Sequence, residues 1–248
     1  NNYNGILYNH KAPSKKWFSR AYRKIKFQFQ SLYASRNCDF IFNHGRFDYL
    51  EFLLKTRKPI IQYQHNKLDT NQIKFMESKA NKRFKLICVS KDQLSGFKTK
   101  FKTKVIHNFV DTNFFSPQNF AKENYLAYLG RLNYEKGIDI AVKLSLDSGI
   151  PLKIAGLVKK EERNAQKLFD EKVKPFLGSH IEYIGEVDDY TKVPFLAKAK
   201  ALLVPNRWDE PFGIMNIEAL ACGTPIVASN KGSLKEIIIN NKTGFLCE

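Results

Sequence analysis

Residues 201–229 read "ALLVPNRWDEPFGIMNIEALACGTPIVAS". The runs ALLVP and TPIVAS have the length and apolar content of buried strands, and the segment between them, 212–222, has helical spacing. Gly223, with Pro225 beyond it, ends that helix. Ile214, Glu218 and Ala221 stand at i, i+4 and i+7, so Glu218 falls on the stripe that packs against a core. A carboxylate there needs a partner. Glu210 stands just before the helix, where Pro211 suits the first helical position and unpaired backbone N–H groups await an acceptor.

The same rhythm extends outward. Strand-like runs at 124–130, 151–157, 180–187, 201–205 and 224–229 alternate with helix-like segments at 137–148, 160–177, 189–200, 212–222 and 233–240. Strand and helix alternating five times implies a parallel sheet of Rossmann type. The first half repeats the pattern less cleanly, with strand candidates at 38–44, 58–64, 84–90 and 103–108. Between the halves, residues 111–124 are polar and aromatic without periodicity and read as a linker. The expectation is two Rossmann-like α/β domains, 1–115 and 116–248.

Composition narrows the class. The chain has 248 residues and 43% hydrophobic content, enough for sizeable cores. No apolar run approaches membrane-spanning length, and no signal peptide opens the chain, so a cytoplasmic protein is expected. Cys38, Cys88, Cys222 and Cys247 are scattered without C-x-x-C spacing and read as small buried hydrophobes. The net charge of +17 is lopsided: residues 1–121 hold 23 Lys and Arg against 7 Asp and Glu, whereas residues 122–248 hold 18 against 17. A uniformly basic surface would colour both halves alike, so the first half is expected to meet an anionic partner.

Ligands of open parallel sheets collect at the carboxyl ends of the strands. Gly130 and Arg131 close one strand, and Lys136 with Gly137 opens the next helix. Cations are unusual at a helix start, so this pair points to a bound anion, most simply a nucleotide diphosphate; two solvated surface cations are the competing reading. Glu210 and Glu218 follow the strand 201–205, at the same sheet edge. Their oxygens suit sugar hydroxyls, and the backbone N–H groups around Phe212, Gly213 and Ile214 suit phosphate or sugar oxygens.

"GRLNYEKGID" at 130–139 followed by "EPFGIMNIEALACGTPIVAS" at 210–229 resembles the donor domain of the family-4 retaining glycosyltransferases, also described as glycosyl transferases group 1, whose fold is GT-B: two Rossmann-like parallel-sheet domains facing a cleft. "CDFIFNHG", "PIIQYQHN", "LICVS" and "VIHNFVDTNFF" are similar, more weakly, to that family's acceptor domain. The resemblance implies an acceptor-side domain at 1–115 and a nucleotide-sugar donor domain at 116–248. It further implies that Arg131 and Lys136 hold the donor diphosphate and stabilise the leaving nucleotide, with no metal and no cofactor. In that pattern Glu218 accepts from ribose hydroxyls. Glu210, the first acid of the E-x7-E motif, meets the donor sugar, with Phe212 and Gly213 supplying backbone contacts and Val187 meeting the base. His65 matches a histidine near the reaction centre, although a strand-end histidine satisfied by its neighbours is the competing reading; His44 is read as structural. The family pattern also begins earlier and ends later, so both domains are expected to be partial.

The implied reaction is transfer of a sugar from a nucleotide diphosphosugar to an acceptor hydroxyl with retention. No D-x-D triplet, G-x-G-x-x-G, Walker loop or H-E-x-x-H occurs, which disfavours metal-dependent transferases of that kind, dehydrogenases, P-loop nucleotidases and zinc proteases. In residues 14–33, Phe18, Tyr22, Ile25, Phe29 and Leu32 share one helical stripe ringed by Lys15, Arg20, Arg23, Lys24 and Lys26. Such a helix either lies on an anionic membrane surface or packs on the first sheet. With the basic first half it favours a membrane glycolipid or cell-envelope glycan as acceptor, at the inner membrane face. A non-catalytic glycosyltransferase-like subunit and a polyanion-binding module are the alternatives; nucleic-acid binding is disfavoured, because no reading motif is present.

Overall fold

The structure is a computed structural model that describes residues 17–80, 82–159 and 162–248. Helix α1 (Trp17–Ala34) leads to strand β1 (Ile41–Asn43), two 3-10 turns, β2 (Ile60–Gln64), α2 (Thr70–Lys79), β3 (Phe84–Cys88) and β4 (Lys102–Val105). These four strands form one parallel sheet in the order β1-β2-β3-β4. The second half runs β5 (Leu126–Leu129), α3 (Ile138–Ser148), β6 (Leu152–Ala155), α4 (Arg163–Lys172), β7 (Ile181–Gly185), α5 (Asp189–Ala197), β8 (Ala201–Val204), α6 (Ile214–Ala221), β9 (Ile226–Ser229), α7 (Leu234–Ile237) and β10 (Gly244–Cys247). Its six strands are parallel in the order β10-β9-β8-β5-β6-β7.

The central strands β5 and β8 of the second sheet are buried on both faces, which is why they read as continuous apolar runs. Along β5 the side chains alternate. Leu126 and Tyr128 join Ile138, Val142, Leu152, Ile154 and Leu203 on one face, whereas Ala127 and Leu129 join Leu196, Leu202, Ala219, Ile226 and Ala228 on the other. In the first sheet, Ile60, Phe84 and Leu86 pack with Leu50, Leu53, Ile73 and Met76. The segment expected to be a linker is anchored: Phe115 is buried in the second domain's core, and Val110, Phe114 and Phe120 pack against it, so the expected division at 115/116 runs through this cluster.

Several boundaries differ from the sequence expectation. Helix α6 starts at Ile214 because Gly213 adopts a left-handed φ of 75°, so Pro211 precedes the helix rather than opening it. The segment 160–177 resolves into α4 and a 3-10 turn at Lys174–Phe176, since Pro175 cannot continue an α-helix; residues 160 and 161 lie outside the described residues. α5 stops at Ala197, and α7 spans only Leu234–Ile237. Cys88 and Cys222 are buried as expected, but Cys38 and Cys247 are exposed because they sit on a connection and an edge strand. Strand β10 and helix α2 were not expected. α2 is opened by a capping box in which Asp69 accepts from the Gln72 N–H and the Gln72 side chain accepts from the Asp69 N–H.

In the second sheet, the chain moves outward from β5 through β6 and β7, then returns to place β8 on the other side of β5. In open parallel sheets such a reversal marks the ligand crevice, here at the carboxyl ends of β5 and β8. Gly137, at φ 68°, starts α3 so close to this crevice that a Cβ would overlap the Pro205 carbonyl beyond β8. Gly137→Ala is therefore expected to destabilise the fold by more than about 1 kcal/mol, measured by urea unfolding.

Candidate active site at the sheet switch point

The loop leaving β5 is held at both ends by one residue. The Tyr128 hydroxyl donates to the Arg131 carbonyl at 3.0 Å, with the Lys136 carbonyl at 3.4 Å, and burial pushes the phenol's pKa up, keeping it a donor. Asn133 Oδ1 accepts from the Lys136 N–H. The loop after β8 braces it from the other side. Arg207 makes a bidentate pair with Asp139 at 2.7 and 2.6 Å, donates to the Tyr134 carbonyl and stacks its guanidinium 3.9 Å above the Tyr134 ring. Burial raises the Asp139 pKa, but the hydrogen bonds and charge of Arg207 outweigh it and leave the carboxyl below its ordinary value.

Within this frame Lys136 Nζ pairs directly with Glu210 Oε2, and each side chain is only 10% exposed. Asn206 Nδ2 donates to the same carboxylate oxygen at 3.2 Å, and the Trp208 ring lies 5.2 Å from the ammonium. The indole Nε1 of Trp208 and the Asn216 Oδ1 are buried without a hydrogen-bond partner among the described residues. Glu210 does not cap α6 through its carboxylate, as its place before the helix suggested; its carboxylate turns to Lys136, and its carbonyl accepts from Ser233. Gly232 passes so near that a Cβ would come within 2.5 Å of the Glu210 nitrogen.

Glu218 is buried on α6 and has the partner its position demanded, Lys192 of α5, at 2.9 Å. Lys192 also holds Asp189 at 2.8 Å. Burial draws the Lys192 pKa down, but hydrogen bonds to Asp189 and Glu218 more than offset it and leave the ammonium above the ordinary lysine value. Gly130 lies against Met215 of α6, which joins the end of β5 to the same helix, and Gly213 abuts Glu210 and Asn216. Arg131 and Ile214 are exposed at the rim, and Val187 packs at the border of the core beyond β7.

The first sheet supplies the facing wall. Lys67, two residues past His65, pairs with Asp209, one residue before Glu210, at 2.7 Å. Phe212 is buried against Tyr63 and Val89, with its ring 5.5 Å from His107. Glu236 of α7 accepts from the backbone N–H groups of Lys91 and Asp92 at 2.9 and 2.8 Å and lies 3.4 Å from His107 Nε2. His65 makes its contacts within its own sheet, to His44 and Tyr63. Lys192, Asn206 and Trp208 escaped the sequence reading, in which His44 is only structural; the need of Glu218 for a cation pointed toward Lys192 but did not say which lysine. Among the described residues no group of three His, Cys, Asp or Glu side chains is placed to hold a metal ion.

The glycosyl transferases group 1 family matches residues 109–248, more than half of the chain. The chain belongs to that family. Glycogen synthase of Mycobacterium tuberculosis is 36% identical over 127 residues, which cover 49% of this chain and 30% of that protein. Among solved structures, sucrose-phosphate synthase of Thermosynechococcus elongatus aligns with a TM-score of 0.75 at 20% identity, covering 94% of this chain and 67% of that one. Anabaena HepE in complex with UDP and glucose aligns with a TM-score of 0.74 at 20% identity, covering 88% and 66%. The two parallel-sheet domains are those of GT-B glycosyltransferases. This group 1 chain spans less than half the length of the curated relative.

The buried Lys136–Glu210 pair yields a stability test. Lys136→Met strands a buried carboxylate and is expected to cost about 3–5 kcal/mol, whereas Lys136→Met with Glu210→Gln recovers most of that loss. Urea unfolding of the wild type and both variants measures the difference.

Proposed function

We propose that the chain carries the catalytic machinery of a retaining, family-4 glycosyltransferase that moves a sugar from a nucleotide diphosphosugar to an acceptor hydroxyl. The observation that carries this reading is the meeting of Lys136 and Glu210 at the switch point, with Arg131 at its rim and Glu218 on the following helix. A diphosphate entering the crevice competes with Glu210 for the Lys136 ammonium. Lys136 then turns to phosphate together with Arg131, and the released Glu210 carboxylate accepts hydrogen bonds from donor-sugar hydroxyls. Two cations neutralise the charge that develops on the departing nucleotide, so the reaction runs without a metal. Glu218, steadied by Lys192, accepts from the ribose hydroxyls, and Gly213 with Ile214 offers backbone N–H groups at the start of α6.

Retention follows when a donor phosphate oxygen takes the acceptor proton while the nucleotide leaves from the same face. His65 stands on the opposite strand end, and Phe212 fixes the approach of the two sheets beside it. The acceptor side is basic, and α1 exposes an apolar stripe: Tyr22 is 68%, Ile25 49% and Phe29 59% exposed, beside the exposed Lys26. Lys15 lies outside the described residues, as do the side chains of Phe18 and Arg20. That face supports a peripheral place on an anionic inner membrane surface, with a membrane glycolipid or cell-envelope glycan as acceptor.

Calorimetry with UDP, GDP and ADP and their glucose or mannose conjugates, in the presence of a chelator, tests the donor site. One nucleotide is expected to bind, and Arg131→Ala is expected to weaken it about tenfold or more. Binding to none of them, with only salt-sensitive binding to polyanions, would replace the transferase reading with a polyanion-binding one. For the membrane face, co-sedimentation is expected with phosphatidylglycerol vesicles and not with phosphatidylcholine vesicles. Ile25→Glu with Phe29→Glu should abolish it; vesicle binding unchanged in that variant would remove α1 from the membrane.

A further inference from the structure

We propose that His44 is the positioning residue for His65, holding its ring in one orientation and one tautomer through a shared imidazole–imidazole hydrogen bond. The inference rests on the reading of His65 as the histidine at the reaction centre. His44 Nδ1 and His65 Nε2 are 3.0 Å apart, and their rings stack with centroids 5.3 Å apart and planes inclined by 25°. The Tyr63 ring supports both, with centroids 5.1 Å from His44 and 4.7 Å from His65, and Phe42 meets His44 edge-on at 4.4 Å.

Both histidines stand on backbone that is fixed from below. Asn43 and Gly45, on either side of His44, are tied together and to buried Gln62: Asn43 Nδ2 donates to Gln62 Oε1 at 2.5 Å, and Gln62 Nε2 donates to the Gly45 carbonyl at 3.0 Å. On either side of His65, the carbonyls of Gln64 and Asn66 both accept from Gln93 Nε2, at 3.2 and 2.8 Å, while Gln93 Oε1 accepts from the Val89 N–H. The imidazoles therefore meet in a geometry set by three neighbouring strand ends.

Only one proton fits between two ring nitrogens at that distance. If His44 donates, His65 carries its own proton on Nδ1; if His65 donates, its Nδ1 is a bare acceptor. A second charge on the pair would set two N–H groups against each other, so a proton on one ring opposes a proton on the other. Burial, and then a charged His44, hold the His65 pKa below its ordinary 6.5. The other ionisable groups about the pair are Tyr63, held by its hydrogen bond to the Ile106 carbonyl, and Arg46 and Asp69, which line the same 580 Å³ cavity. Lys67 is already paired with Asp209. His44 thus keeps His65 neutral beside a phosphate-rich donor that would otherwise draw a proton onto it.

The test is a pH titration by long-range proton–nitrogen NMR on the full chain carrying nitrogen-15 histidine, for the wild type, His44→Phe and His44→Asn. The phenylalanine keeps the ring packing without the hydrogen bond, and the asparagine keeps a polar group near Nδ1 without titrating. In the wild type, neutral His65 is expected as a single tautomer whose titration is coupled to that of His44. In His44→Phe it should become a tautomer mixture that titrates at higher pH; in His44→Asn the tautomer stays fixed and the coupling disappears. Initial rates of UDP-glucose hydrolysis against pH supply the second readout. His44→Phe is expected to slow hydrolysis roughly 10-fold or more, the scale of loss when the partner that orients a metal-bound imidazole is removed. Its acid limb should move to higher pH, and His44→Asn should recover the rate. Wild-type tautomer and titration of His65 in His44→Phe would overturn the role of His44. If the NMR coupling stands but His65→Asn hydrolyses UDP-glucose at the wild-type rate, the underlying reading of His65 fails instead.

Discussion

The buried pairing of Lys136 with Glu210 is the constraint around which the second domain is organised. It joins the loop after β5 to the loop after β8, two strands made neighbours by the reversal of strand order although 71 residues lie between Leu129 at the end of β5 and Ala201 at the start of β8. Removing two charges from water is costly, and Coulomb attraction alone repays it only when geometry and extra hydrogen bonds are good. Here Asn206 supplies a further donor to the carboxylate, Trp208 faces the ammonium, and the Arg207–Asp139 fork holds the same two loops together nearby. The pair is consequently a preformed arrangement of opposite charges, held at the switch point by groups from both loops.

The second domain also depends on the first. Phe212, whose backbone the sequence marked, uses its side chain to pack on Tyr63, Val89 and His107 of the first domain. Glu236 reinforces that contact by accepting from two consecutive N–H groups at a 3-10 turn, which a carboxylate satisfies better than water can at a crowded junction. The Lys67–Asp209 bridge is more exposed and contributes little energy, yet it ties the segment after β2 that carries His65 to the loop after β8 that carries Glu210. Orientation across the cleft therefore comes from one aromatic anchor and one doubly hydrogen-bonded carboxylate more than from net charge.

What the sequence revealed followed from burial. The enclosed strands β5 and β8 are apolar throughout, and their neighbours β6, β7 and β9 are largely apolar between Gly, Pro and polar residues, so β5 through β9 could be read directly. Glu218 was informative because an acid on an apolar stripe must be paired, and Lys192 pairs it. Features set by long-range contacts could not be read this way. The cations at 131 and 136 looked alike in sequence, yet one is exposed and the other is buried against an acid from a different strand connection. β10 is only four residues long, and α2 buries only Ile73 and Met76 fully, leaving weak periodic signals. His44 looked structural because its partner lies on the next strand, 21 residues away.

Helix α1 shows the limit of amphipathic reasoning from the other side. Its apolar stripe should face the core if hydrophobic spacing alone set its orientation. Instead Gln28 is 2% exposed, Leu32 packs at the edge of the first core, and Tyr22, Ile25 and Phe29 face outward. Phe27 meets Tyr49 and Phe29 meets Phe52 edge-on, so the helix is held by its flanks, with rings on two sides and a buried amide between them. Leaving three large apolar side chains in water forfeits burial free energy that the neighbouring sheet could have supplied, and an exposed apolar patch of this kind is characteristic of a contact surface.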